Sequence, residues 1–204
     1  FVLGVLPAAA DVLAQTQKAG AVADAGASAK AEGGKVNMRP IKAFLARARR
    51  LNDQGKLDLS KPQVLTVEGD RQADGTLANV SITGESASNA ELRRVAEDFV
   101  SSLNESRALA FLNDVSHLRM NFALDGERFR TETAGDAPSE ARAAEMARGY
   151  RVLVNAGRFV KRGTDEGALL NSTKVSSNGK QLLMTLDMPR EQLGNILLRQ
   201  ITPN

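Results

Sequence analysis

The sequence predicts an α+β fold: an antiparallel sheet of about six strands with helices packed on one face, preceded by a flexible Ala/Gly-rich segment. Three observations lead to this prediction. Short segments alternate apolar and polar residues, Asp-Gly or Asn-Gly pairs separate such segments, and longer segments carry apolar residues at helical spacing. Connections of a few residues join neighbouring strands in antiparallel fashion. The predicted element order is ββαβ followed by βαββα.

The composition argues against several classes of function. The 204 residues carry 27 basic and 24 acidic side chains, and a net charge of +3 is too small to indicate a nucleic-acid partner. Seven Phe, one Tyr and no Trp leave little aromatic surface for stacking on bases. The lack of Cys excludes disulfides and thiolate chemistry, and a single histidine, His117, excludes sites built on two histidines.

Residues 1–10 indicate a location in the cell envelope. Residues 1–7 are apolar but far shorter than the ~20 residues that span a bilayer. We expect them to be the remnant of a transmembrane helix or of a signal segment, with Ala8 and Ala10 in an A-x-A-like cleavage site. The alternative is a shortened chain or a buried apolar end.

Residues 11–37 are predicted to form a flexible spacer. Ala and Gly dominate this segment, and residues 19–27 contain almost no side chain large enough to bury. Ala favours helix, but the glycines interrupt each helical stretch. A spacer behind an apolar terminus predicts a tether that holds a folded module away from a membrane.

Residues 38–60 are predicted to form a basic amphipathic helix and a connector. The apolar residues of the helix fall at helical spacing: Ile41, Phe44, Leu45, Ala48 and Leu51. One interpretation is a helix that lies on anionic lipid. The other is a helix that packs its apolar stripe on the following domain, and the narrowness of the stripe favours it.

The predicted α+β domain occupies residues 61–204 and begins with a β-hairpin. Asp74 and Gly75 separate two β-prone segments, residues 64–67 and 77–83. Gly75 supplies the positive φ that a tight turn needs.

A capped helix and a strand complete the first half of the domain. Ser88 and Glu91 have the spacing of a capping box at a helix start. Residues 117–124 alternate and predict a strand. The inner face of the helix is formed by Leu92, Val95, Ala96, Phe99, Val100 and Leu103.

The second half, residues 126–204, predicts a hairpin, helices and a second hairpin. Asp125 and Gly126 are the turn signal before a strand at residues 128–133, and a long helix starts after Pro138 and ends near Arg162. The remaining predicted elements are a short helix at 168–171, strands at 174–177 and 180–187 joined by Asn178 and Gly179, and a last helix from about Pro189.

Two groups of side chains are candidates for chemistry, and neither predicts catalysis. Asp165 and Glu166 are adjacent in a glycine-flanked turn, where carboxylates are usually solvated rather than opposed across a substrate. His117 begins a strand on the face opposite Leu118, where a solvent-facing histidine is expected. Nucleophile-elbow, dinucleotide and phosphate-loop motifs are absent from the sequence. The sequence therefore predicts no enzyme and no catalytic, cofactor-binding or metal residues.

Two polar strand segments are predicted to be exposed sheet edges. They are residues 128–131 and residues 174–177. Charged edges usually protect a sheet against unwanted pairing. Some domains instead recruit an extended peptide of a partner by strand addition, and the sequence leaves both alternatives open.

Residues 63–125 carry a family resemblance in Val67-Glu68 and in segments 74–82, 90–99 and 118–124. This succession resembles the carboxy-terminal domain of TonB-type energy transducers and TolA-like domains, as does the layout of apolar segment, Ala-rich spacer and domain. The resemblance implies a periplasmic domain anchored to the inner membrane. It implies a protein partner, such as an envelope receptor or a motor subunit, and identifies no individual binding residue.

The function predicted from these observations is a non-enzymatic, membrane-tethered periplasmic protein–protein interaction domain that couples envelope components. It needs no cofactor and no nucleic acid. The alternative is a soluble α+β domain that binds a small or lipidic ligand between helix and sheet. A closed cavity lined by Leu118, Met120, Phe122 and Val95 would favour the alternative, whereas a close-packed core beside an unpaired edge strand would favour the interaction domain.

Overall fold

The computed structural model describes residues 36–57 and 61–201, with side chains described up to Arg199. The predicted apolar anchor, nearly all of the predicted spacer and the end of the connector at residues 58–60 lie outside the described residues. Within the described ranges, no helix is long and apolar enough to cross a bilayer.

The described chain is α+β, as predicted, with a six-stranded antiparallel sheet and five α-helices within the described residues. The strands are β1 Gln63–Arg71, β2 Leu77–Thr83, β3 His117–Leu124, β4 Arg128–Asp136, β5 Thr173–Asn178 and β6 Gln181–Pro189. The helices are α1 Met38–Asp53, α2 Ala90–Ser106, α3 Glu140–Val160, α4 Asp165–Asn171 and α5 Arg190–Ile201. The strand order across the sheet is β2-β1-β3-β4-β6-β5, with every neighbouring pair antiparallel.

One face of the sheet carries the core. Across five strands, Val67, Met120, Thr133, Met184 and Val175 lie side by side in register, and all five are buried. The strand residues of this face and the inner residues of the helices belong to one apolar cluster. This arrangement follows from the alternation of the sequence, because successive strand side chains point to opposite faces.

Helix α1 packs on the domain. Ile41 is buried, and the ring of Phe44 lies 5.6 Å, between centroids, from that of Phe99 on α2. Arg47 Nε lies 3.2 Å from Asp98 Oδ2. These contacts support the second interpretation of this helix, in which its apolar stripe packs on the following domain.

The start of α2 differs from the prediction by one residue. Ser88 belongs to a 3₁₀ turn, Glu85–Ser88, and Asn89 is the N-cap. Asn89 Oδ1 accepts hydrogen bonds from the backbone N–H groups of Glu91, at 3.0 Å, and Leu92, at 3.2 Å. Asparagine caps as well as serine, so the residue one position later satisfies the free amides of the first turn.

The three predicted hairpin connections form, but their turns are built differently. Gly75 and Gly179 adopt positive φ, at 83° and 53°, whereas Gly126 does not. In the β3–β4 turn, Asp125 Oδ1 instead accepts the backbone N–H groups of Glu127 and Arg128, at 2.8 and 2.6 Å. The aspartate side chain thus stabilises this turn, as carboxylates commonly do.

The prediction that residues 128–131 form an exposed edge is wrong. They lie in β4, which pairs with β3 on one side and β6 on the other. Their polarity has another cause: Arg128 and Arg130 point to the face opposite the core, where both form ion pairs with Asp187 of β6. Residues 174–177 do lie in an edge strand, β5, and β2 is the second edge, which the sequence did not identify.

Candidate functional site

The face of the sheet opposite the core is polar and accessible, and we call it the open face. A row across it consists of Thr66, Asn121, Glu132, Thr185 and Lys174, neighbours in register on five strands. None of the five is buried. Cross-strand contacts order this face: Thr66 Oγ1 donates to Asn121 Oδ1 at 2.9 Å, and nearby Arg119 forms an ion pair with Glu68.

His117 lies on the open face, as predicted, and contacts a carboxylate that the sequence did not associate with it. Its Nδ1 lies 2.9 Å from Asp70 Oδ1, and Asp70 Oδ2 accepts from Asn79 Nδ2 at 2.8 Å. The contact depends on the pairing of Asp70 with His117 across β1 and β3. In the described part of the chain, no hydroxyl hydrogen-bonds to His117.

Several aspartates of this face and its turns have lowered pKa values. A hydrogen bond from Asn79, and then one from His117, lower the pKa of Asp70 below its ordinary 3.8. The backbone N–H of Arg128 has the main lowering effect on the pKa of Asp125, and the Arg128 side chain has it on Asp187. A carboxylate with a lowered folded-state pKa stabilises the fold above its unfolded pKa, and this stability is lost as pH falls through the folded value.

We therefore expect the thermal midpoint to stay nearly constant from about pH 7 to about pH 5 and to fall below about pH 4. Calorimetry over this pH range measures the effect. The Asp125→Asn variant keeps an acceptor for the two turn amides but does not titrate, so its decline at low pH should be shallower than that of the wild type. Identical pH profiles for the two proteins would contradict this assignment.

Asp165 and Glu166 lie at the start of a helix. Asp165 begins α4 after its N-cap Thr164, rather than lying in the predicted turn. It accepts hydrogen bonds from Arg199 of α5, from Nε at 2.9 Å and from Nη2 at 2.5 Å, and this contact raises the pKa of Arg199. Asp165 therefore connects two helices, and the sequence could not indicate its partner 34 residues away.

The edge at β2 is interrupted by a bulge and covered by a side chain at its first residue. Asn79 adopts φ of 51°, and the register of β2 against β1 shifts between Glu68 and Asp70, which marks a β-bulge. At Leu77, Asn104 of α2 accepts the backbone N–H at 2.8 Å and donates to the backbone carbonyl at 3.1 Å. A bulge and a side-chain amide bound to the edge both hinder the addition of another strand.

The edge at β5 is open along part of its length. Asp187 donates its backbone N–H to Ser172 O at 3.1 Å. Backbone hydrogen bonds to β6 are therefore made by Ser172 and by every second residue after it, Lys174 and Ser176. The backbone groups of Thr173, Val175 and Ser177 then point away from β6. Thr173 O accepts from Arg158 Nη2 at 2.5 Å. Among the described residues, no backbone hydrogen bond reaches the outer side of Val175 or Ser177.

Two further observations concern chemistry elsewhere in the described ranges. No group of three or more His, Asp or Glu there is arranged to hold a metal ion. Every buried side-chain nitrogen or oxygen of the described residues has a hydrogen-bond partner.

Comparison of the chain with protein-family models, with curated proteins and with solved structures finds no match. The resemblance of residues 63–125 to TonB-type domains therefore stays a prediction, as do the location and the partner that it implies.

Proposed function

We propose that this chain is a non-enzymatic protein–protein interaction domain of the periplasm, tethered to the inner membrane by its amino-terminal segment. It couples envelope components in the manner of TonB-like transducers. The proposal includes the finer architecture: a ββαβ half followed by a βαββα half, with helices on one face so that the opposite face is left for a partner. The apolar residues 1–7 and the Ala/Gly-rich segment that follows them support the tether.

The observation that carries the proposal is the difference between the two sheet edges. A bulge and Asn104 obstruct β2, whereas β5 presents the outward backbone groups of Val175 and Ser177. An extended peptide that adds to such an edge gains main-chain hydrogen bonds, and alternate side chains supply specificity. Lys174 and Ser176 extend the open face to this edge, so the partner segment has polar side chains, with acidic ones near Lys174.

The packing of the core favours an interaction domain over the ligand-binding alternative. Leu118 and Met120, two of the four residues proposed to line a cavity, each retain only 1% of their accessible surface. A void large enough for a ligand would leave its lining side chains accessible from inside. Val95 and Phe122 are only partly buried, and Phe122 packs against the core cluster.

We expect the Ser177→Pro variant to lose the partner while keeping the fold. Proline is tolerated at an edge position whose N–H points outward, but it removes that donor and obstructs an added strand. Full-length protein is crosslinked mildly in envelope fractions and purified by affinity. We expect the variant to recover the envelope partner at least about tenfold less well than the wild type, which corresponds to the loss of ~1.4 kcal/mol.

The matched control is Ser177→Ala, which removes the hydroxyl but keeps the backbone N–H. It should recover the partner as the wild type does. Equal recovery by the proline variant, with an unchanged thermal midpoint, would refute strand addition at β5. Recovery of cytosolic proteins alone would refute the periplasmic location as well.

A further inference from the structure

The outer side of α3 exposes large apolar side chains close to the carboxyl end of the helix. Phe159 is 85% exposed, Val152 65% and Val160 54%. Val152 and Phe159 are seven residues apart, and therefore lie on one stripe about two helical turns in length. The opposite side of the same helix is the packed one, where Ala143, Ala147 and Val154 are buried. The exposed stripe therefore does not belong to the face of α3 that packs on the core.

The sequence around this stripe is rich in cations. Residues 146–164 contain four Arg and one Lys and no Asp or Glu. Arg148 precedes Val152 by one turn, and Lys161 and Arg162 directly follow Val160. Arg151 and Arg158 donate to backbone carbonyl groups, and within the described residues neither forms an ion pair with a carboxylate.

The carboxylates nearest to this segment in the sequence are Glu145, Asp165 and Glu166. Glu145 lies on the same side of α3, one turn before Arg148. It forms an ion pair with Arg142 at 2.7 Å. Asp165 binds Arg199. Glu166 is half-buried at the start of α4. Elsewhere in the described chain many cations are neutralised locally, as in the pairs Arg93–Glu97 and Arg119–Glu68. The surroundings of Phe159 are therefore a basic area with an apolar centre.

We propose that this surface, defined as the α3 patch of Val152, Phe159, Val160, Arg148, Lys161 and Arg162, binds the surface of an anionic lipid bilayer. Basic residues at the edge of protruding apolar side chains match the negative headgroups and the acyl boundary of such a membrane. A protruding phenylalanine inserts into lipid without a preformed pocket, whereas an acidic protein partner would have to supply one. The patch shares no residue with the β5 edge, and the inference does not depend on strand addition there.

The test uses the full-length chain with a single tryptophan as a probe, since the natural sequence contains none. The Phe159→Trp variant is mixed with vesicles of phosphatidylcholine containing about 30% phosphatidylglycerol, and with vesicles of phosphatidylcholine alone. We expect a blue shift of the emission and quenching by brominated lipid with the anionic vesicles only. The Val80→Trp variant, at an exposed position on β2, is the matched control and should show neither change.

Charge reversal tests the electrostatic part of the inference. Adding Lys161→Glu and Arg162→Glu to the Phe159→Trp variant should raise the concentration of anionic lipid needed for half of the emission shift at least about tenfold at ~0.1 M salt, and ~0.5 M salt should raise it similarly for the parent. The amino-terminal apolar segment could bring the protein to vesicles by itself, but it would not move the tryptophan at position 159 into lipid. An unshifted emission despite vesicle binding, or equal shifts on neutral and anionic vesicles, would overturn the proposal. Charge reversal that leaves the emission shift of the tryptophan at position 159 unchanged would overturn it as well.

Discussion

Replacing Leu118 by alanine is expected to lower the free energy of unfolding by about 3 kcal/mol. Leu118 is almost fully buried on β3 and lies opposite Gly135 of β4. A Cβ added at Gly135 would lie 3.2 Å from Leu118 Cδ2 and 2.9 Å from Val115 Cγ1. The leucine and the valine thus occupy the space that the glycine leaves free. Because the residue opposite Leu118 is glycine, few neighbouring atoms can move into the cavity that the alanine substitution leaves.

Urea denaturation measures this cost, with Val64→Ala as the control on the same sheet. Val64 is 38% exposed, and its truncation should cost less than about 1 kcal/mol. A similarly small cost at Leu118 would mean that the sheet and helices enclose free volume. That result would contradict the close-packed core and favour the ligand-binding alternative.

Replacing Gly167 by alanine is expected to destabilise the domain by about 2 kcal/mol, although alanine is the better helix former. Gly167 is buried in α4 against the end of α3. An added Cβ would overlap the carbonyl oxygen of Lys161 and lie 2.8 Å from its carbonyl carbon. Because both atoms belong to the backbone, the α3–α4 connection has to move to accept the methyl group.

Gly149→Ala is the matched control and should have the opposite sign. Gly149 lies on the exposed side of α3, and an added Cβ there meets nothing within 4 Å. The substitution should stabilise the domain by about 0.5–1 kcal/mol through helix propensity and reduced freedom of the unfolded chain. The thermal midpoints of Gly167→Ala and Gly149→Ala are compared with that of the wild type. Stabilisation by both substitutions would refute the close contact at Gly167.

Much of the architecture could be predicted from the sequence because it depends on local patterns. Alternation identified the strands, helical spacing identified the long helices, and the Asp-Gly and Asn-Gly pairs marked the hairpins. The starts of elements were less certain, since neighbouring residues compete for the same role. Asn89 caps α2 in place of Ser88, and Asp125 stabilises the turn expected to depend on Gly126.

The features of the candidate site depend on register and on strand order, which a single sequence does not determine. The contact of His117 with Asp70 requires the pairing of β1 with β3, and the ion pair of Asp165 with Arg199 joins separate helices. The polarity of the side chains alone did not distinguish an edge strand from an interior strand with one solvent-exposed face. For this reason β4 was mistaken for an edge and the edge at β2 was missed, whereas β5 was identified correctly.

Amide hydrogen exchange along β5, followed by NMR on the protein without a partner, tests whether the outer edge of this strand is free to bind a partner strand. We expect exchange rates that alternate along the strand: the amides of Val175 and Ser177 exchange at least about a hundredfold faster than those of Lys174 and Ser176, which bond to β6. Uniform protection of all four amides would show that the outer edge of β5 is already covered. That result would contradict an edge available to a partner strand.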